Sequence, residues 1–239
     1  MNQFSRTELL IGTENIEKLH KSKVAIFGIG GVGSFVAEGL VRAGIGNFLL
    51  VDNDTVSETN INRQIIANLN TIGKYKVDLM KDRMLDINKN VKVEVSKEFY
   101  LPNKNVNIDE SFDYIIDAID TVTAKIGLIE QAKKLNVPII SCMGTGNKLN
   151  PTKFEIEDIY KTSVCPLAKA MRKELKKRNI DSLKVLYSKE EPVVTNCTYK
   201  NEDKVSNVKK QVPASISFVP SVAGLIIAGE VVKDLCNLY

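Results

Sequence analysis

The sequence predicts an α/β protein, a mainly parallel sheet with helices on both faces, extended by a smaller C-terminal part. Three observations predict it. Between Lys23 and Cys142, short apolar runs suited to buried strands alternate with helical patterns, which is how βαβ crossovers read. The first run, Val24–Phe27, enters a glycine-rich turn, Gly28-Ile29-Gly30-Gly31-Val32-Gly33, that leads directly into a helical pattern. Two later strands end in acids, Asp52 and Asp120. Ligands of parallel sheets gather outside the carboxyl ends of the strands, so these three ends should converge.

Taken in order, Phe4 to Leu19 reads as an irregular start and a short helix that carries Arg6. After the glycine turn, Val36, Leu40 and Val41 mark a helix that Gly44 and Gly46 stop, and Phe48–Val51 form the second strand. Asn53 to Asn62 is too polar for a core strand. Gly73 opens an amphipathic helix over Lys74–Ile87, with Val77, Met80, Met84, Leu85 and Ile87 on its apolar side. Val91, Val93 and Val95 alternate with Lys92 and Glu94 as a half-buried strand, and 103–110 is a polar connection. The strand Phe112–Ile119 ends at Asp120, and Thr121 starts a helix to about Leu135. Asn136–Cys142 is another buried strand. The second half leaves this regular alternation. It offers a strand over Lys153–Asp158, a basic helix over Pro166–Arg178, a strand over Leu183–Ser188, a polar loop over 196–211, and an apolar helix over Ile216–Leu235. The whole is expected to be a single domain over 1–239, with a nucleotide-binding core (1–150) and a substrate-facing part (151–239).

Composition narrows the function. A hydrophobic fraction of 44% and a charged fraction of 26% are those of an ordinary soluble globular protein. Met1 to Lys23 has no apolar core of a targeting segment, and the apolar stretch 216–232 is broken by Pro220, two glycines and Glu230, so no membrane insertion and a cytoplasmic location are expected. Cys142, Cys165, Cys197 and Cys236 form no C-x-x-C pair, which argues against zinc. The single His20 leaves little room for histidine chemistry.

Gly28, Gly30 and Gly33 match G-x-G-x-x-G, and Asp52 lies 19 residues beyond Gly33, where a Rossmann-like dinucleotide site places its ribose-binding acid. The obvious ligand is NAD. The following segment argues for another: Asn60, Asn62, Arg63, Gln64, Lys74 and Lys76 gather amide and cationic donors. A pyrophosphate on a helix N-terminus needs no such charge, whereas a triphosphate reacting at phosphorus does. Asp120, a strand-end carboxylate facing such a ligand, suits Mg²⁺; its bland alternative is a helix cap.

GIGGVGS, VDNDTVSETNINRQ, GKYKV and IDAID together resemble the ThiF/MoeB/ubiquitin-activating superfamily of adenylating enzymes, over about Phe4 to Leu235. The resemblance implies that Gly28, Gly30, Gly31, Gly33 and Asp52 hold ATP, with Asn60 and Asn62 beside them. It implies that Arg63 and Lys76 bind the phosphates, that Asp120 binds Mg²⁺, and that Arg6 reaches across a homodimer to the partner's γ-phosphate. The segments KTSVCPLAKAMRKELKKR and SISFVPSVAGL resemble the bacterial branch that uses ATP to dehydrate threonylcarbamoyladenosine in tRNA, closing it to an oxazolone. Carboxylate activation followed by intramolecular ring closure needs no cysteine or histidine, because proximity drives the second step. Cys165 is then read as a small semi-buried thiol, with a thioester or persulfide role as the alternative.

Residues 161–178 hold seven basic side chains and one acid, Glu174. A charge run is ordinarily a solvated face. With the tRNA substrate that the resemblance implies, Lys169, Arg172, Lys173, Lys176 and Lys177 become candidates for phosphate contact, helped by Lys204, Lys209 and Lys210, with Tyr160, Tyr187 and Tyr199 as stacking options. Three alternatives stay open: adenylation of a ubiquitin-like sulfur carrier, a nicotinamide-dependent oxidoreductase, and a non-catalytic nucleotide-sensing or tRNA-binding module. Participation of an accessory sulfur-transfer protein also stays open.

Overall fold

The computed structural model describes residues 1–101, 106, 108–194 and 213–238. The 196–211 loop, with Cys197, Tyr199, Lys204, Lys209 and Lys210, and part of the 103–110 connection lie outside the described residues.

The elements run α1 (Ser5–Ile11), α2 (Thr13–Lys21), β1 (Lys23–Phe27), α3 (Gly33–Ala43), β2 (Asn47–Val51), α4 (Lys76–Ile87), β3 (Lys92–Ser96), β4 (Tyr114–Asp117), α5 (Val122–Leu135), β5 (Ile139–Cys142), β6 (Phe154–Asp158), α6 (Pro166–Lys176), β7 (Lys184–Ser188) and α7 (Phe218–Cys236). The seven strands form one sheet in the order β3-β2-β1-β4-β5-β7-β6. All neighbours are parallel except the edge pair β6–β7. The strand order reverses between β1 and β4, which opens a crevice at their carboxyl ends where a ligand can enter.

Strand alternation sorts the core into two layers. Val24 and Ile26 of β1 pack with α2, α3, α4 and α7, while Ala25 and Phe27 pack with α5 and α6. The fold class read from the sequence is therefore the one observed. The apolar C-terminal helix lies on α3: a Cβ on Gly39 would sit 2.7 Å from Ala228, and one on Gly224 would sit 2.5 Å from the Val32 carbonyl oxygen. Those two missing side chains let α7 press against the start of α3, and so buttress the glycine turn.

Several details depart from the sequence reading. The N-terminal segment is two helices with a break at Gly12, whose φ of 87° suits glycine. α4 starts at Lys76, two residues later than expected, and Leu85 on its expected apolar side is exposed. β4 stops at Asp117, so Ala118, Ile119 and Asp120 form a turn beyond the strand. Glu38 carries no pattern that singles it out, yet it is buried on α3 and accepts hydrogen bonds from Arg83 of α4 at 2.7 and 3.0 Å and from Arg42 at 2.8 Å.

Candidate active site

A cleft of about 450 Å³ opens at the carboxyl edge of the sheet, where β1, β2 and β4 end. Its floor is the glycine turn. Gly28 has φ of 88°, and a Cβ there would meet the Ala118 carbonyl oxygen at 2.6 Å. Gly33 is tighter still, since its Cβ would lie 1.8 Å from the Gly28 carbonyl oxygen. The turn therefore closes on itself only because both positions lack a side chain. α3 begins at Gly33 with no side-chain cap, so the positive end of its dipole lies behind the turn, while the Ser34 and Phe35 N–H groups donate to the Gly30 and Val32 carbonyls at 3.1 and 3.0 Å.

Asp52 stands where β2 ends. Its Oδ2 accepts the Ile29 N–H at 2.6 Å and its Oδ1 the Asp54 N–H at 2.8 Å. Burial raises its carboxyl above the ordinary value, with the nearby Lys76 ammonium and the two backbone donors opposing. Lys76 is buried at the start of α4 and donates to Asp54 Oδ2 at 2.7 Å. Arg63 lines the cleft from the turn after a 3₁₀ helix at Glu58–Asn60, its guanidinium held by the Thr59 carbonyl and Asn62 Oδ1, each at 2.9 Å. Desolvation lowers the Arg63 pKa from its ordinary value, the sign of a cation held partly out of water.

Asn60, Gly30, Gly31 and Asp120 line the same cleft. Asn60 Oδ1 accepts the Ser57 N–H at 3.1 Å and so shapes the 3₁₀ turn. Asp120 is exposed on the wall formed by the turn after β4, and Thr121, not Asp120, occupies the N-cap of α5. Asn62 is at the rim, where its amide donates to the Ser215 carbonyl at 3.0 Å while its oxygen holds Arg63. Gly33 lies beneath the floor. Arg6 is outside this cleft, exposed on α1, a helix with no buried residue that displays Leu9 and Leu10 at 83% and 85% exposure. Lys74 is exposed and does not line the cleft.

The cleft fits a nucleoside triphosphate on two grounds: the self-closing glycine cradle and the two cations Arg63 and Lys76. Gln64 is 5% exposed and lines the cleft, and its Oε1, an acceptor, is the one buried side-chain polar atom without a partner among the described residues. Among the described residues no group of three or more His, Cys, Asp or Glu could hold a metal. Asp120, an exposed carboxylate on the cleft wall, is a group that could hold Mg²⁺, an ion commonly bound through one or two carboxylates, phosphates and water.

Sequence reasoning does not reach Asp54, Glu98, Phe99, Tyr100, Thr145, Ser215 or Pro220 as lining residues. Asp54 is legible as the second acid of Asp-Asn-Asp, and Ser215 and Pro220 lie in the segment SISFVPSVAGL, Pro220 in the first turn of α7; Glu98, Phe99, Tyr100 and Thr145 come from loops with no local signal. Burial pushes the Tyr100 hydroxyl up to about 12, and it donates to Gln131 at 2.8 Å, so it is no proton donor near neutrality. Among the described residues no histidine or cysteine lines the cleft. Cys165 is buried at the N-cap of α6 within the α5–α6 layer.

Of the basic residues on α6, Lys169, Lys173, Lys176 and Lys177 are exposed. Lys177 pairs with Glu174 at 2.7 Å, and the Arg172 guanidinium turns inward to Thr162. A larger hollow of about 580 Å³ lies at the opposite edge of the sheet, near Tyr114 and Lys184. Its polar groups satisfy one another: Tyr114 donates to Asp234 at 2.6 Å, and Lys184 meets Glu230 and Asp234 at 2.9 and 2.7 Å.

The ThiF family model matches residues 4–238. The tRNA threonylcarbamoyladenosine dehydratase of Bacillus subtilis is 47% identical over 241 residues, covering 98% of this chain and 95% of that protein. The Escherichia coli protein of the same name is 36% identical over 175 residues, 73% of this chain and 65% of its own length. Among solved structures, the E. coli tRNA N6-threonylcarbamoyladenosine dehydratase TcdA in complex with ATP superposes with a TM-score of 0.84 at 29% identity, covering 98% of this chain and 94% of that one. A complex of the same protein with AMP matches equally well, with a TM-score of 0.84.

Proposed function

The chain belongs to the ThiF family, and from that premise we propose that it is an ATP-dependent dehydratase of threonylcarbamoyladenosine in tRNA. The observation that carries this reading is the convergence of the glycine turn, Arg63, Lys76 and Asp120 on one cleft, in a chain nearly half identical to a relative of that name over its whole length.

The chemistry follows from what the cleft offers. The Gly28–Gly33 turn and the α3 N-terminus cradle the phosphates. Arg63 and Lys76 draw negative charge from the pentacoordinate phosphorus as the threonyl carboxylate attacks it. One carboxylate oxygen becomes bonded to AMP and pyrophosphate leaves. Asp120 would hold Mg²⁺, which would supply charge neutralisation on the phosphates. The carbamoyl oxygen, tethered to the same nucleoside, then attacks the activated carbonyl, AMP departs with the carboxylate oxygen, the carbamoyl nitrogen gives its N–H proton to solvent, and a five-membered ring closes, leaving the nucleoside lighter by one water. Ring closure draws on effective concentration rather than on a protein nucleophile. A cleft whose described lining holds neither histidine nor cysteine suits that division of labour. A dinucleotide enzyme would leave Arg63 and Lys76 without a task.

The working unit in this reading is a cytoplasmic homodimer. The two exposed leucines of α1 provide an apolar contact, and Arg6 on the same helix acts in the partner's cleft. The exposed lysines of α6, Lys169, Lys173 and Lys176, carry the tRNA backbone, with Arg172 and Lys177 contributing less because each already has an internal partner. Incubation with ATP, Mg²⁺ and threonylcarbamoyladenosine-bearing tRNA should yield a nucleoside lighter by one water, read by mass. ATP binding without that loss would overturn the assigned substrate and leave the nucleotide site standing.

A further inference from the structure

Behind the cleft lies a buried ionic cluster that the chemistry above does not touch. Asp117 ends β4, and Ser141 is its register partner on β5. Both face α5, from which Lys125 descends onto them. Its Nζ lies 2.9 Å from Asp117 Oδ2, 3.2 Å from Ser141 Oγ and 2.8 Å from the Cys142 carbonyl oxygen. Asp117, Lys125 and Ser141 are each 0% exposed. The Ser141 hydroxyl donates to Asp117 Oδ2 at 2.5 Å, and the other carboxylate oxygen, Oδ1, accepts the Ile119 N–H at 3.1 Å.

Stability alone does not account for such a cluster, because desolvating two charges roughly cancels their attraction and apolar replacements are often as stable. Its geometry is directional instead. All three ammonium protons have an acceptor, and those acceptors tie the carboxyl ends of β4 and β5 together. The chain leaving β4 runs through Ala118 and Ile119 to Asp120, and the chain leaving β5 runs to Thr145; all four line the cleft. The Ile119 N–H sits on the same carboxylate that Lys125 grips, one residue before Asp120.

We propose that Lys125 is a positioning residue. Through Asp117 it fixes the 118–120 turn so that Asp120 faces the metal-bearing triphosphate. This rests on the reading of Asp120 as the metal ligand. Lys125 itself reaches neither nucleotide nor metal.

The test uses the full chain with Lys125→Met, Lys125→Arg and, in parallel, Asp120→Ala. Folding is checked by thermal melting, ATP affinity by calorimetry without metal, and motion of the turn by amide exchange at residues 118–120 in the ligand-free protein. Folded Lys125→Met should bind metal-free ATP within about three-fold of the parent yet lose about 100-fold in kcat, as a displacement of around 1 Å at a reacting site does. Its half-saturating Mg²⁺ concentration should rise about ten-fold, since supports behind a metal ligand typically cost about 10–100-fold. Exchange at Ile119 should accelerate. Lys125→Arg, which keeps the charge, should recover kcat to within about ten-fold of the parent. Parental kcat, Mg²⁺ dependence and exchange in folded Lys125→Met would overturn the proposal. Should that variant fail to fold, Ser141→Ala decides: faster exchange at Ile119 with a kcat loss of about three- to ten-fold supports it, and parental values overturn it. An active Asp120→Ala would refute the metal-ligand reading itself. An inactive Asp120→Ala beside a fully active Lys125→Met would refute only the role of Lys125.

Discussion

Replacing Gly33 by alanine puts the nucleotide cradle to its hardest test. The added Cβ would stand 1.8 Å from the Gly28 carbonyl oxygen and 2.9 Å from its carbon. A carbon–oxygen contact settles at about 3.3 Å or more, so the turn must open by roughly 1.5 Å. The obstacle is backbone at both ends, and no side chain can swing aside. Overpacking of this kind costs about 1–3 kcal/mol of stability. Binding suffers more in the proposed reading, because the opened turn is the one assigned to the phosphates. Losing two charge-assisted hydrogen bonds at about 1.5–3 kcal/mol each raises the Kd at least about 100-fold. Gly229→Ala is the control: nothing lies within 4 Å of its Cβ, and it sits inside α7. There alanine should stabilise by about 0.5–1 kcal/mol and leave ATP binding unchanged. Calorimetric titration with ATP and thermal melting of the two variants separate the effects. Parental ATP affinity in folded Gly33→Ala would refute the assignment of this turn as the phosphate cradle.

Lys76→Met should raise the Kd for ATP by about 10–100-fold, since one charged contact to phosphate is lost. Because its partner Asp54 is 60% exposed, the melting temperature should barely move, a loss of under about 1 kcal/mol. Glu38→Gln addresses the fold instead. Burial raises the Glu38 carboxyl, but the hydrogen bonds from Arg83 and Arg42 outweigh it, and the folded value lies below 4.5. A depressed carboxylate contributes stability above its unfolded pKa and loses it as pH falls through the folded value. Glu38→Gln should therefore cost about 1–3 kcal/mol at neutral pH, discounted for the exposure of both arginines, with the gap closing below pH 4.5 in melts across a pH series. Cys165→Ser should keep kcat per folded molecule within about three-fold while losing about 1–2 kcal/mol of stability, since a hydroxyl enters an apolar layer. Abolished turnover in the folded serine variant would require a sulfur step.

Much of the sheet can be read from the chain because its central strands are buried on both faces and write continuous apolar runs, as in Val24–Phe27 and Phe48–Val51. The site's floor is legible for a related reason: Gly28 and Gly33 answer a local steric demand that leaves few other residues possible. What stays hidden depends on distance in sequence. Asp117 reads like any polar residue in a strand, and Lys125 like a solvated helix position; only the β4–β5 register and the descent of α5 make them a buried pair. Leu85 shows the converse, an apolar residue at helical spacing that the structure leaves exposed. Cleft walls made by loops, such as Phe99, Thr145 and Ser215, carry no period for a pattern to detect.

Asp52 explains how this cleft can be ordered before any ligand arrives. A ribose-binding acid needs only one free oxygen, yet both Asp52 oxygens already accept backbone donors, Ile29 from the glycine turn and Asp54 from the next loop. Asp54 in turn holds the Lys76 ammonium. A continuous chain of hydrogen bonds thus runs from the glycine turn through two carboxylates to Lys76. In the proposed reading the second lone pair on each Asp52 oxygen takes the ribose hydroxyls. Burial raises the Asp52 pKa, a cost that Lys76 and the two amides reduce. Charge on Asp52 and charge on Lys76 are therefore coupled, and in the proposed reading a triphosphate at Lys76 would act on the glycine turn through Asp54 and Asp52. On the β4 side, Asp117 plays a comparable part for the Asp120 wall: one of its oxygens holds the Ile119 N–H, while the other holds the Lys125 and Ser141 side chains.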